Sequence, residues 1–410
     1  MTLPTGWHRS TLGTIARISS GGTPDRAEPR YWGGEVPWVT TGEIQFNTIT
    51  ATTEKITEAG LKNSSAKLFP PGTLLMAMYG QGKTRGQMAK LGIEAATNQN
   101  SAAILLNEEH EPDFYFHYLS SQYENIRDFG HSGGVSHLNA GILKQILVPV
   151  APLPEQRRIA RILSTWDQAI TTVERLLANS HKQKRALMNE LLFGLTRMER
   201  FTAPWIRVQI GDVLREVKRR ADWDDDEIYP LISVRRRSGG AFHRESLAGH
   251  QILTKKLNLA YEGEFLISKM QVVHGAMAIV PAALDGMYVS DSYLAFQSSN
   301  ERRYFIQFIG WLSATKWMYR AALRSSYGVH IEKMTFDLGM FLAECIRIPT
   351  DIKEQRLICE VLNKAQGEIN AGEKHLQQLR QEKVALMAQL LTGKRRVRLP
   401  EPEPEAEAAS

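Results

Sequence analysis

Two long stretches of the chain set apolar residues at steps of three and four. The first carries Ile159, Ile162, Leu163, Trp166, Ile170, Val173, Leu177, Leu187, Met188, Leu191 and Leu192. The second carries Ile358, Val361, Leu362, Ala365, Ile369, Leu376, Leu379, Leu386, Met387, Leu390 and Leu391. That spacing predicts two helices, each with one apolar stripe. Pro154 suits a first helical turn, Asp351 with Glu354 fits a capping box, and Gly194 and Gly393 fit stop positions. A helix from Glu155 to Leu192 is about 57 Å long at ~1.5 Å per residue. A helix of that length with a single stripe needs a partner. The other helix is the natural one, in a two-stranded coiled coil. The competing reading is that each helix merely covers its own domain.

The two stretches are copies of each other. Residues 155–197 align with 354–396 without a gap, and sixteen of the 43 positions are identical, among them Glu155/Glu354, Gln156/Gln355, Arg157/Arg356, Lys184/Lys383 and Gly194/Gly393. The segments before them are a looser repeat: WHRSTLGTI at 7–15 matches WIRVQIGDV at 205–213, and PPGTLLMAM at 70–78 parallels YEGEFLISK at 261–269. Short apolar runs bounded by glycine and asparagine predict strands at Thr73 to Met78, Ala102 to Leu106, Phe265 to Ile267 and Met277 to Val280. Residues 114–129 and 302–323 have helical spacing. The expected fold class is therefore α+β, with two mixed α/β domains, two long paired helices and a pseudo-two-fold internal repeat. The domains span 1–150 and 199–349, the helices 151–198 and 350–395. An acidic tail at 396–410 is too polar and proline-rich to fold.

Composition narrows the function. The 410 residues carry a net charge of +6, which becomes +10 without the last ten, where Glu401, Glu403, Glu405 and Glu407 stand with no base. A basic body suits a polyanion, nucleic acid first, although ordinary solubility charge accounts for it as well. Two cysteines, Cys345 and Cys359, exclude a disulfide framework and suit a reducing cytoplasm. No run approaches the ~18 apolar residues of a membrane span. Met1 to Ser10 has no signal-peptide core.

Catalytic motifs are scarce. AMYGQGKT at 77–84 satisfies a permissive phosphate-loop pattern, so a nucleotide-binding enzyme is one alternative. Against it, alanine replaces the first glycine, Gly86 and Gly92 interrupt any following helix, and ILLNEE at 104–109 has asparagine where a magnesium-binding aspartate is expected. There is no paired-histidine zinc motif, CxxC pair, nucleophile elbow, or asparagine–proline–proline–aromatic motif. WDDDE at 223–227 reads as a solvated loop rather than a metal site.

GGTPDRAEPRYWGGEVPWVTTGEI at 21–44 resembles the opening of a target-recognition domain in the specificity subunits of Type I restriction-modification systems. LPEQRRIARIL with MNELLFGLTR, and KEQRLICEVL with MAQLLTGKRR, resemble that family's two spacer helices. VSHLNAGILKQILVPVAPLPEQ at 135–156 resembles its domain-to-helix junction. The resemblance covers nearly all of residues 6–396; the second domain lacks the GGTP–YWGG block. It implies a non-catalytic DNA-binding subunit whose two domains each read one half of a split target, held apart by an antiparallel helix pair. It further implies docking of two adenine-N6 methyltransferase (modification) subunits and two restriction subunits. S-adenosylmethionine, ATP and magnesium belong to those partners, and no cofactor to this chain. A variant is a solitary or alternate specificity subunit that exchanges into another complex. A scaffold that binds only protein is the other class of reading.

Reading a duplex needs polar side chains on loops that enter a groove. The candidates in the first domain are Tyr79, Gln81, Lys83 and Arg85, which alternate with glycines, together with Ser132 and His137. In the second domain they are Arg235, Arg236, Arg237, His243 and Arg244 around Gly239-Gly240, then Lys269, Gln271 and His274, then Tyr327 and His330. Arginine either bridges guanine O6 and N7 or clamps phosphate. Leu187, Met188, Leu191 and Leu192, with Leu386, Met387, Leu390 and Leu391, are expected to pair the helices or bind partner subunits.

Overall fold

The computed structural model describes residues 3–80, 82–129, 137–331 and 334–399. The chain is mixed α/β and divides into two units. One comprises residues 1–174 with 374–410, the other 175–373. The two long helices, Leu153–Leu192 and Ile352–Leu390, therefore each give one half to each unit.

In the first unit, strand Leu74–Ala77 has both faces buried. Leu74 and Met76 point into one apolar cluster with Phe114, Leu163, Leu390 and Leu391. Leu75 and Ala77 point into another with Val39, Ile44 and Leu91. Alternate residues of a strand face opposite ways, so four consecutive apolar residues are what a sheet covered on both sides requires. This strand lies inside a five-stranded sheet, between Ser101–Leu106 and Met88–Leu91. A four-stranded sheet contains Trp32–Val39. The second unit repeats the logic. Phe265 and Ile267 face a cluster with Phe296, Phe308, Leu191 and Leu192, while Leu266 faces one with Ile232, Ala278 and Val289. The expected helices at 114–129 and 302–323 are each broken in two, as Pro112–Ser121 and Tyr123–Asp128, and as Ile306–Ser313 and Lys316–Arg324.

The repeated Glu-Gln pair at each helix start has a physical role. In the first unit Glu155 is buried; it accepts from the Trp7 indole Nε1 at 3.1 Å and from Arg396 Nε at 3.0 Å, with a second contact to Arg396 Nη2. In the second, Glu354 accepts from Trp205 Nε1 at 3.1 Å and from Arg197 Nε and Nη2 at 3.0 and 2.8 Å. The glutamines are buried beside them. Gln156 accepts from Glu111 N at 2.9 Å and donates to Ala151 O at 2.7 Å; Gln355 accepts from Phe305 N at 2.8 Å and donates to Pro349 O at 2.9 Å. Each glutamine thus ties its helix to the strand before it and to the segment that opens the short helices. The expected capping box at Asp351 does not form: the Glu354 carboxylate is engaged by Trp205 and Arg197, and Asp351 instead accepts from Lys353 N at 2.8 Å. The start of the acidic tail also differs from expectation. Arg396 closes on Glu155, and Val397 packs on the first core.

Within each unit the two helices run in opposite directions. In the first, Asp167 accepts from Lys383, and Glu174 accepts from Arg380 at 2.6 Å. In the second, Lys184 donates to Gln366 at 2.7 Å, and His181 lies 3.7 Å from Glu373. The apolar helix ends pack into the unit cores: Met188, Leu191 and Leu192 into the second, Leu390 and Leu391 into the first, with Leu187, Leu386 and Met387 half-buried against them. Each such buried leucine contributes about 2 kcal/mol, and the same clusters hold Ile358 and Leu362, or Ile159 and Leu163, from the start of the other long helix. Among the described residues no helix is long and apolar enough to cross a membrane, and no group of three or more His, Cys, Asp or Glu could hold a metal.

Candidate nucleic-acid interface

The loop at 78–86 joins two antiparallel strands, with Leu75 opposite Ala89 and Met76 opposite Met88. A phosphate loop needs a helix after it. Here a strand follows, so the nucleotide-binding alternative fails. Gly80, Gly82 and Gly86 take positive φ (134°, 76° and 86°), which lets the chain fold back tightly. Helix Tyr123–Asp128 holds the loop from behind. The Tyr123 hydroxyl donates to Lys83 O, and Arg127 Nη2 donates to Gly82 O at 2.6 Å. Leu138 N donates to Met78 O at 3.0 Å, which brings the following segment alongside, and the Tyr79 ring stacks on His137 with centroids 4.8 Å apart and planes 10° from parallel.

Tyr79, Lys83 and His137 are thus gathered, with Tyr79 and Lys83 exposed. Arg85 is not presented. It is buried, and its Nη2 donates to Arg127 O at 3.3 Å, so it braces the loop. Gln81 and Ser132 lie outside the described residues. Phe46, which sequence reasoning missed, adjoins this group. It takes a φ of 56°, donates its N–H to Met88 O at 2.7 Å, and sets its exposed ring edge-on to Tyr123 at 5.2 Å. A bulky residue with positive φ is strained. The only hint in the sequence is the turn-forming Asn47 beside it.

In the second unit a hairpin turn at 235–240 links Ile228–Val234 to Ala241–Ala248. Arg237 and Ser238 both take positive φ (58° and 54°). Their N–H groups donate to His274 O at 2.7 Å and Gly275 O at 3.0 Å, which joins the arginine turn to the 272–274 turn. Tyr319, from the helix Lys316–Arg324, pins both. Its hydroxyl lies 2.7 Å from Ser238 Oγ, and a Cβ on Gly275 would fall 2.4 Å from its ring. Arg235, Arg236 and Arg237 are exposed, and the Arg235 guanidinium lies 3.8 Å over the Phe242 ring.

The other candidates spread away from that turn. His243 and Arg244 sit on the outer strand, with His243 Nε2 2.9 Å from Ser246 Oγ and Arg244 paired with Glu245 at 2.6 Å. Lys269 and Gln271 are half-buried between strand and turn, and Lys269 N donates to Ser292 O at 2.8 Å. Tyr327 and His330 are exposed on the hairpin that follows the Tyr319 helix. In the WDDDE segment, Asp225 accepts from Lys255 Nζ at 2.7 Å and Trp223 Nε1 at 2.8 Å; the lysine first, then the indole, hold its carboxyl below the usual range.

The GGTP–YWGG–PW block builds a scaffold. The Arg26 guanidinium lies 3.7 Å over the Trp32 ring and 5.0 Å from the Trp38 ring, and pairs with Glu54. The two indoles donate to Asp25 O and Gly22 O, each at 3.0 Å. Cation–π contact and these bonds fix the strand Trp32–Val39, and none of the block's side chains joins the Tyr79 group.

Residues 4–179 match the family model for the Type I restriction modification DNA specificity domain. The chain is 23% identical over 336 residues to the Type I restriction enzyme MjaIX specificity subunit of Methanocaldococcus jannaschii, covering 74% of this chain and 76% of that one. Its fold resembles that of a Type I restriction-modification S subunit from M. genitalium, with a TM-score of 0.59 at 12% identity over 95% of this chain and 98% of the other. A chain solved in work on assembly and conformational transition of the Type I system gives a TM-score of 0.58 at 17% identity, over 96% of this chain and all of that one. The repeated helix starts and the scaffold block agree with these matches: residues 4–179 are similar to the Type I restriction modification DNA specificity domain, and the chain as a whole is similar in sequence and fold to Type I specificity subunits.

Proposed function

We propose that this chain is the sequence-reading subunit of a Type I restriction-modification complex. One recognition domain, residues 1–150, reads one half of a split DNA target, and the other, residues 199–349, reads the second half. The observation that carries the reading is a duplicated design: each unit has a Trp–Glu–Arg clasp at a long-helix start and a set of loops pinned by a tyrosine from a short helix. Two readers in one chain suit two half-sites.

The long helices, spanning 151–198 and 350–395, act as an antiparallel coiled-coil spacer and offer their exposed faces to two modification subunits, and through them to restriction subunits. Methyl transfer and cleavage, with S-adenosylmethionine, ATP and magnesium, reside on those partners. Tyr79, Lys83, His137, Arg235, Arg236, Arg237, Tyr327 and His330 are the foremost DNA contacts. Phosphate takes half to two-thirds of protein–DNA hydrogen bonds, so most of these position the duplex and a few read it.

The test is to co-express the chain with modification subunits and map N6-methyladenine by sequencing. A bipartite motif is expected, and replacing residues 1–150 with a different recognition domain changes one half alone. A contiguous motif, or one unaffected by the exchange, refutes the reading.

A further inference from the structure

The second unit carries bare aliphatic side chains on a braced hairpin. Strands Ser326–Tyr327 and Thr335–Phe336 pair antiparallel, with Ser326 opposite Phe336 and Tyr327 opposite Thr335. The base is fixed. Ser326 Oγ donates to Ala322 O at 2.8 Å, Asp337 N donates to Ser325 O at 2.8 Å, and the Phe336 ring meets Phe341 edge-on at 5.4 Å. Beyond the base the chain opens to solvent: Val329 is 96% exposed, Tyr327 59% and Ile331 51%. These side chains add almost nothing to the core. Their apolar surface leaves water only when something covers it.

The neighbouring elements say what that is. The helix Lys316–Arg324 runs into this hairpin, and its Tyr319 pins the turn that displays Arg235, Arg236 and Arg237. The apolar tip is therefore mounted on the same small set of elements as exposed cations, which suits a polyanion that also presents an apolar spot. A two-stranded ribbon fits the DNA major groove. The apolar group that a base edge presents there is the 5-methyl of thymine.

We propose that the hairpin tip at 327–331 enters the major groove of the second half-site, and that Val329, with Ile331 beside it, selects an A·T pair by covering the thymine 5-methyl group. This rests on the DNA-reading function above. It adds an apolar contact to a site otherwise composed of polar and charged groups.

Uracil scanning tests it. The full chain, co-expressed with its modification subunits, is given a target selected from a randomised duplex library. Each thymine of both half-sites is then replaced singly by deoxyuridine, which lacks only the methyl. At one thymine the replacement should weaken binding roughly three- to fivefold, the worth of one buried methyl. Val329→Ala should weaken binding to the thymine duplex by a similar factor and abolish the thymine–uracil difference at that position alone. The melting temperature should not change, because Val329 is exposed. A uracil scan on which Val329→Ala and the parent respond alike overturns the proposal, as does equal weakening on every duplex or a target without thymine. Those outcomes leave the DNA-reading function standing. Absence of sequence-selective binding by the parent complex overturns that function and the proposal with it.

Discussion

The guanidinium of Arg197 closes over the buried carboxylate of Glu354, 157 residues further along the chain, with Nε at 3.0 Å and Nη2 at 2.8 Å. Arg197 follows one long helix and Glu354 begins the other. The same pair recurs as Arg396 and Glu155 in the first unit. The bond therefore ties the end of each helix to the start of its neighbour, and the Trp205 or Trp7 indole completes the carboxylate's hydrogen bonding.

Breaking the clasp should destabilise the unit that holds it. Arg396→Ala leaves Glu155 buried with the indole alone. The cost should be about 2 kcal/mol, below the range for fully buried pairs because the arginine is half-exposed. Arg197→Ala should act in the same direction on the second unit. Glu354→Gln, which keeps an acceptor for Trp205, should lose less than Glu354→Ala. Urea denaturation of the full chain checks the order. Equal losses for the Gln and Ala variants would show that the bond to Trp205 adds nothing, and no loss in either would show that the carboxylate is a spectator.

Gly21→Ala should abolish folding of the first unit. A Cβ there would lie 1.9 Å from the Thr97 carbonyl oxygen, and Thr97 O already accepts from Gly22 N at 2.8 Å. Neither backbone can yield without breaking the strand that carries Trp38. The loss should exceed about 4 kcal/mol, the mark of a backbone clash rather than a surface change. Solubility and proteolysis of the variant read it directly.

Much of this arrangement is legible in the sequence, because it depends on local periodicity. The run Ala102 to Leu106 becomes the strand Ser101–Leu106, and the stripe ending at Leu192 becomes the helix Leu153–Leu192, which stops before Gly194. The helix repeat also marks the right residues: Glu155, Gln156, Glu354 and Gln355 are identical because each makes the same buried bonds. What escapes is tertiary. Arg85 alternates with exposed neighbours in sequence, yet the distant helix Tyr123–Asp128 turns it inward. Glu354 has capping-box spacing, yet Arg197 takes its carboxylate. In each case a residue far along the chain outcompetes the local pattern.

Tyr319→Phe should loosen recognition in the second half-site and leave the first untouched. The hydroxyl is 2.7 Å from Ser238 Oγ and helps hold two consecutive residues with positive φ. Losing one such bond costs about 1 kcal/mol, enough to disorder a strained turn without unfolding the domain. Selection from a randomised library should return a degenerate second half-site. A variant that selects the parent's motif at full stringency would show that the turn keeps its shape without the tyrosine.

His117 should make the first unit sensitive to acid. Its ring is buried, with Nδ1 3.8 Å from Asp167, and Lys383 and Lys90 also face it. Burial first, then the charges of Lys383 and Lys90, push its pKa down to about 3. An unfolded histidine titrates near 6.5. Between those values the unfolded chain takes up a proton that the folded chain refuses. Stability from this group is therefore complete above about pH 6.5 and falls as pH drops toward the folded value, by up to about 3 kcal/mol at pH 4. His117→Leu removes the titration and keeps the ring's place apolar. Carboxylates titrate over the same range, so the quantity to measure is the difference between parent and variant. Urea denaturation at intervals from pH 7.5 to 4 should give curves that converge on acidification, with the variant losing less. Parallel curves would mean that the folded ring accepts a proton as readily as the unfolded one, and that the pocket around His117 admits the charge.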